Sequence, residues 1–308
     1  MRGGAGRARF ERKEPMNRKT LGTIALASFL AIAVAAPAQA QWTLQGQQYV
    51  VDANAGKLPK KKRGPVNSLF VDVITNYAGS GTGFVDRKAN RTKLYFPTDF
   101  AFQTRGLAQC DPNAGNFGDS TTTQAKELCG RAQVGSGSAR TVGPLLNVTA
   151  VVTAFNGTRS GGAPTLLLHS RSSLGTTSVL IGRLVRSDRP GFGQMLDVTV
   201  PPLPGGQAIS DFRTTIPRAK LPLGAALKKK FAKQRKKCKK IGNSSKRKRC
   251  LRGVNRKLAA AKKQFYVMAR CKNRKWRFQA VSFYDAGAPS FAPAGSTTAA
   301  ALDRCKQR

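Results

Sequence analysis

The stretch Leu145-Leu146-Asn147-Val148-Thr149-Ala150-Val151-Val152-Thr153-Ala154-Phe155 decides how this chain is read. Leu146, Val148, Ala150, Val152 and Ala154 share one face of an extended backbone, while Asn147, Thr149 and Thr153 mix with apolar groups on the other. A period of two with β-branched residues predicts a strand with one buried face.

Working outward, the pattern recurs. Leu69, Val71, Val73, Thr75 and Tyr77 alternate in the same way, and Gly79 to Gly83 closes that run as a turn. Further β-like runs are 93–96, 100–104, 165–169, 178–185 and 195–200. Gly191, Pro201, Pro202, Pro204, Gly205 and Gly206 bound the later ones and exclude a continuous helix there. Phe265 to Ala269 and the alternating Trp276, Phe278 and Ala280 flank the turn-like Lys272 to Lys275, which predicts a final β-hairpin completing the sheet. Many short strands of this kind indicate a sandwich or an open barrel. The fold expected is mainly β: an antiparallel β-sandwich-like domain over residues 66–305, with a basic α-helical hairpin inserted at 226–264.

The N-terminus reads as a leader. Arg18 and Lys19 precede an apolar run from Leu21 to Ala36, and Ala38-Gln39-Ala40 supplies a small-x-small cleavage motif. The apolar run is shorter than the roughly 20 residues of a membrane span, which sets cleavage against the alternative of an uncleaved anchor. Residues 16–40 make a complete signal by themselves, so Met16 is the expected start and residues 1–15 an extension. The expected destination is secreted or extracytoplasmic. Removing residues 1–40 from the chain of 308 leaves 268. Residues 41–65, with the run Lys57-Leu58-Pro59-Lys60-Lys61-Lys62-Arg63, read as a basic exposed arm or linker.

All six cysteines follow the leader: Cys110, Cys129, Cys238, Cys250, Cys271 and Cys305. In an oxidising compartment an even set reads as disulfides. Fifteen pairings are possible, and proximity in sequence favours Cys110–Cys129, Cys238–Cys250 and Cys271–Cys305. A metal reading is weaker, because no C-x-x-C occurs and the single His169 is remote from every Cys in sequence. Asp111 to Ser120 is a Gly/Asn/Asp-rich loop, with a helical turn expected around Thr122 to Leu128.

The formal net charge is +40, and residues 228–263 alone hold eighteen Lys and Arg with no acid. Such a block reads as a disordered linker unless its apolar residues are ordered, and here they are. Leu227, Phe231, Gln234, Cys238 and Ile241 are spaced 4, 3, 4 and 3 apart; Cys250, Val254, Leu258 and Ala261 are spaced 4, 4 and 3 apart. Each set makes one helical stripe. Gly242-Asn243-Ser244-Ser245 supplies a stop and a restart, with Ser as the next N-cap. The candidate polyanion-binding residues on the first helix are Lys228, Lys229, Lys230, Arg235, Lys236, Lys237, Lys239 and Lys240. On the second they are Lys246, Arg247, Lys248 and Arg249. The partners expected are an anionic cell-wall polymer or a membrane surface. Sequence-specific nucleic-acid recognition is not expected, since no DNA- or RNA-binding motif occurs and Phe231 and Phe265 are too sparse to stack bases.

No catalytic constellation stands out. His169 sits in a strand pattern, where a structural role is the commoner one. The fourteen Asp and Glu show no motif spacing, and G-x-S-x-G is absent. Val134-Gly135-Ser136-Gly137-Ser138 lacks the Gly-Lys-Ser/Thr that completes a phosphate loop. No catalytic residue, cofactor or metal is assigned.

Phe96-Pro97, Cys110, Cys129, Val134 to Ala139, Phe155-Asn156-Gly157 and the late Cys271, Trp276 and Cys305 resemble uncharacterised secreted β-proteins of high-GC Gram-positive bacteria. The resemblance covers residues 66–305, with the basic hairpin as an insertion. It implies an exported β-rich domain and brings no activity, cofactor or site residue with it. The function expected is a non-enzymatic, envelope-associated binding or structural role; the alternative is a secreted hydrolase with dispersed carboxylates.

Overall fold

The structure, a computed structural model, describes residues 42–79, 83–144, 147–262, 265–285 and 295–307. The leader and the turn at residues 80–82 lie outside them. In chain order the elements begin with β1 (Trp42–Asn54), β2 (Lys57–Leu58), β3 (Gly64–Pro65), β4 (Ser68–Gly79), β5 (Ala89–Pro97) and β6 (Phe100–Phe102). Helix α1 (Thr122–Cys129) precedes β7 (Gln133–Val142), β8 (Thr149–Ser160), β9 (Ala163–Ser172), β10 (Thr177–Arg186), β11 (Phe192–Thr199) and β12 (Ala208–Pro217). Then come α2 (Ala225–Lys239), α3 (Ser244–Lys262), β13 (Val267–Ala269), β14 (Lys275–Tyr284), β15 (Gly295–Arg304) and β16 (Lys306–Gln307).

The protein is mainly β, as expected, and its antiparallel character is realised in one eleven-stranded sheet of order β1-β4-β12-β7-β8-β9-β10-β11-β5-β14-β15. The sheet is nearly barrel-like. Its two edge strands are linked by hydrogen bonds outside the ladder pattern: the Ala53 backbone N donates to Asp303 Oδ2 at 2.8 Å, and Thr297 Oγ1 donates to Gln47 Oε1 at 2.9 Å. Alternate residues point into the enclosed core, among them Val71 and Val73, Leu94, Leu166 and Leu168, Leu180 and Leu184, and Leu196 and Val198. This continuous apolar cluster is the main source of stability, at roughly 1.5–3 kcal/mol for each large side chain fully buried.

The run Leu166-Leu167-Leu168 is apolar without alternation because β9 is covered on both faces. Leu166 and Leu168 join the main core, whereas Leu167 packs outside with Phe155, Phe117 and Ala125 beneath α1. Helix α1 starts at a capping box, Thr121 Oγ1 accepting from Gln124 N while Gln124 Oε1 accepts from Thr121 N. The Cys110–Cys129 disulfide closes this cover, with Cα atoms 5.1 Å apart.

Gly135 and Gly137 have a structural reason. A Cβ on Gly137 would lie 1.8 Å from the Arg213 carbonyl oxygen, and one on Gly135 2.4 Å from that of Thr215. The two strands β7 and β12 approach too closely there for any side chain, and the glycines sit in a paired strand, not in a phosphate-binding loop.

Three expectations need correction. Residues 41–65 are not an exposed arm throughout. β1 pairs along its length with β4, and Tyr49, Val51 and Ala53 are buried at alternate positions; the longest exposed run is Lys60 to Arg63. The Phe265–Ala269 segment does not pair with the Trp276 strand. Both sides of β14 are taken by β5 and β15, so β13 pairs instead with β3 and β6 in a small separate sheet. The restart of the helical hairpin is capped by Asn243, whose Oδ1 accepts from Lys246 N at 3.0 Å, rather than by a serine.

Candidate basic-hairpin site

Helices α2 and α3 form the inserted hairpin. Their apolar stripes meet: Phe231, Cys238 and Val254 are buried against Leu227, Cys250, Leu251, Leu258 and Ala261. The Cys238–Cys250 disulfide joins the stripes, and Cys271–Cys305 ties the C-terminal strands to the end of the small sheet, so all three expected pairs are present. These bonds are compatible with an extracytoplasmic protein.

The hairpin is rooted in the sheet domain. Leu223 bridges to Leu107, Gly224 N donates to the Gly106 carbonyl at 2.9 Å, and Tyr266 N donates to that of Ala219 at 2.9 Å. Gly106 adopts a φ of +78°, and a Cβ there would strike Leu227, so the first helix docks directly on this turn. On the return side the Arg218 guanidinium lies 4.6 Å above the Phe265 ring.

The structure places the twelve sequence-assigned cations along both helices and their junction. All are exposed except Arg247, which is half-buried. Among the described residues the ion pairs are Arg91–Asp197, Lys93–Asp188, Arg213 with Asp72 and Asp211, and Arg270–Asp99; none involves the hairpin. The sequence explains this, since no Asp or Glu occurs from residue 212 to residue 284. Lys236, Lys237 and Lys239 at the end of α2 suit its negative terminus, but Lys246 and Arg247 oppose the positive start of α3. The hairpin therefore concentrates unneutralised charge on a covalently fastened frame.

One feature of the site is not legible in the helical spacing. The segment Lys220-Leu221-Pro222-Leu223 runs beside the hairpin and forms with it an open groove of about 580 Å³. Leu221, Leu223, Phe231 and Leu258 form its apolar floor; Lys220, Lys228, Arg235 and Lys262 stand around it, and Ala232 lines it. Only Lys228 and Arg235 of these cations were assigned from the sequence. Lys220 and Lys262 reach the groove through chain folding, which the spacing within one helix does not encode.

His169 is fully buried, with Nε2 3.1 Å from both Ser120 Oγ and the Ser120 carbonyl oxygen. A carbonyl only accepts, so Nε2 carries the proton. Ser120 Oγ in turn donates to the Phe117 carbonyl at 2.8 Å. The proton thus faces the wrong way for His169 to activate Ser120, and both groups lie beneath the α1 cover. Burial, with the nearby Arg171 charge, lowers the imidazole pKa below its ordinary value. Asp72 and Asp211 converge on adjacent strands, but Arg213 spans both. Burial and then the Asp211 charge raise Asp72, against the pull of Arg213. Among the described residues no group of three potential metal ligands occurs, and no helix is long and apolar enough to cross a membrane.

The chain matches no protein-family model, no curated protein and no solved structure.

Proposed function

We propose that this is an extracytoplasmic, envelope-associated binding protein without catalytic activity, whose helical hairpin attaches it to an anionic component outside the membrane. The observation that carries the reading is the hairpin itself: a disulfide-fastened pair of helices whose cations, Arg247 apart, are exposed and lack acidic partners among the described residues. Charge kept only for solubility would be spread over the surface and mixed in sign. Here eighteen Lys and Arg of a net charge of +40 are packed without one acid into a single insertion on a sheet domain with its own core. Attraction of this kind adds up per cation and weakens as salt screens it. The three disulfides and the leader motif support an oxidising location.

The test is retention of the protein on isolated cell envelopes across a salt series, with and without residues 228–263. The full chain is expected to stay bound at low salt and elute as salt rises, and the deleted form to wash off at once. Equal retention of the two forms overturns the proposal.

A further inference from the structure

Two spaces are set apart by size and lining, an enclosed one inside the sheet and an open groove at the hairpin; a third, of about 460 Å³ beside Phe192 and Leu302, has Arg277 as its sole lining cation. The cavity inside the sheet measures about 80 Å³ and is lined by aliphatic side chains such as Leu166, Leu180 and Leu196. An engineered apolar cavity that admits benzene is larger, at about 150 Å³. The inner cavity is therefore a packing void. The hairpin groove, at about 580 Å³, falls within the roughly 300–1,000 Å³ of small-molecule sites.

The lining of the groove specifies its occupant. An anionic polysaccharide or a polyphosphate needs cations alone and gains nothing from Leu221, Leu223, Phe231 and Leu258. An apolar floor ringed by cations is complementary to a molecule with an apolar chain and an anionic end. Lys and Arg lay their methylene stems along apolar surface and keep their charged ends at the rim, so Lys220, Lys228, Arg235 and Lys262 can cover a chain and hold its anionic end together. The helix register places these groups correctly. Lys228, Ala232 and Arg235 succeed one another along one face of α2, and Leu258 and Lys262 are one turn apart on α3.

We propose that the groove between Lys220–Leu223 and the two helices takes an acyl chain of an anionic membrane lipid, with its phosphate held by the surrounding Lys and Arg. This rests on the reading of the hairpin as a polyanion-binding element and narrows it from anions in general to lipid. The chain supplies what a soluble polymer lacks, and the cations supply preference over zwitterionic lipid.

Three probes test this on the full chain: inorganic polyphosphate, monomeric alkyl phosphates of increasing length, and phosphatidylcholine vesicles with and without phosphatidylglycerol. Each methylene laid on the floor is expected to tighten alkyl phosphate binding by about fourfold until the floor is covered. Vesicle binding is expected only with phosphatidylglycerol present. Ala232→Gln sets a polar amide in the groove and leaves every cation in place. It is expected to flatten the chain-length dependence and weaken vesicle binding roughly tenfold, while polyphosphate affinity, which also reports that the hairpin is folded, stays unchanged. Polyphosphate binding with no dependence on chain length, or A232Q binding vesicles as well as the unaltered chain, overturns the groove and spares the broader reading. Failure of the unaltered chain to bind polyphosphate and vesicles alike overturns both.

Discussion

Cys238 and Cys250 join α2 to α3 with their Cα atoms 5.5 Å apart, each six positions from Ser244 in the turn between the helices. The bond lies where mutual repulsion is most damaging, because the cations at the start of α3 face a helix terminus that already carries positive partial charge. Fastening the two stripes limits how far the like charges can separate.

Replacing both cysteines by serine (C238S together with C250S) is expected to loosen the hairpin and leave the sheet intact. Loop-closure entropy for the short segment between them contributes about 3 kcal/mol. Helical circular dichroism should fall, and trypsin should cut within residues 228–262 far faster than in the disulfide-bonded protein. Equal cleavage rates would show that Phe231, Val254 and Leu258 hold the helices without the bond.

Asp99 ties together the small sheet at the foot of the hairpin. One carboxylate oxygen accepts from Arg270 Nε at 2.9 Å and the other from Lys272 N at 3.2 Å, while its carbonyl accepts from Arg63 Nε at 3.0 Å. Its side chain is buried, whereas that of Arg270 keeps 30% exposure, so water can compensate part of a lost pair. Asp99→Ala is expected to cost about 2 kcal/mol, less than for a fully buried pair. Urea unfolding measures it; a change below about 0.5 kcal/mol would mean that the Asp99 side chain is dispensable.

The buried imidazole links stability to pH. Because the folded pKa of His169 is depressed below 6.5, the unfolded chain takes up this proton first as pH falls. Stability is therefore intact above the unfolded value and declines below it, by up to about 1.4 kcal/mol per pH unit while only the unfolded state is protonated. His169→Gln keeps a donor for the Ser120 carbonyl and cannot titrate. Denaturation midpoints between about pH 6.5 and 5 should slope for the natural protein and be flatter for H169Q. Parallel profiles would mean that other groups govern this range.

Much of this protein is legible in its sequence, for reasons that are local. The 4-3-4-3 spacing of Leu227 to Ile241 set out α2, since side chains at that spacing share one helical stripe. Alternation marks β4, β8, β10 and β11, and short separations identify the three disulfide partners. Even the absence of acids from 212 to 284, which leaves the hairpin unneutralised, is a property of the sequence alone.

Other features depend on segments that meet only in three dimensions. A period of two tells which face of a strand is buried and not which strand lies beside it. β5 thus stands between β11 and β14, each about a hundred residues or more away, and β1, masked by its glutamines, becomes an edge of the main sheet. Sequence alone determined that the protein is a disulfide-bonded, mainly β chain with a cationic helical insertion. Tertiary structure decided that eleven of the strands form one nearly barrel-like sheet, and that Lys220 to Leu223 lie against α2 and α3 to make a groove. The physical reason is that secondary structure follows from near neighbours, whereas edges and grooves are made by residues brought together through folding.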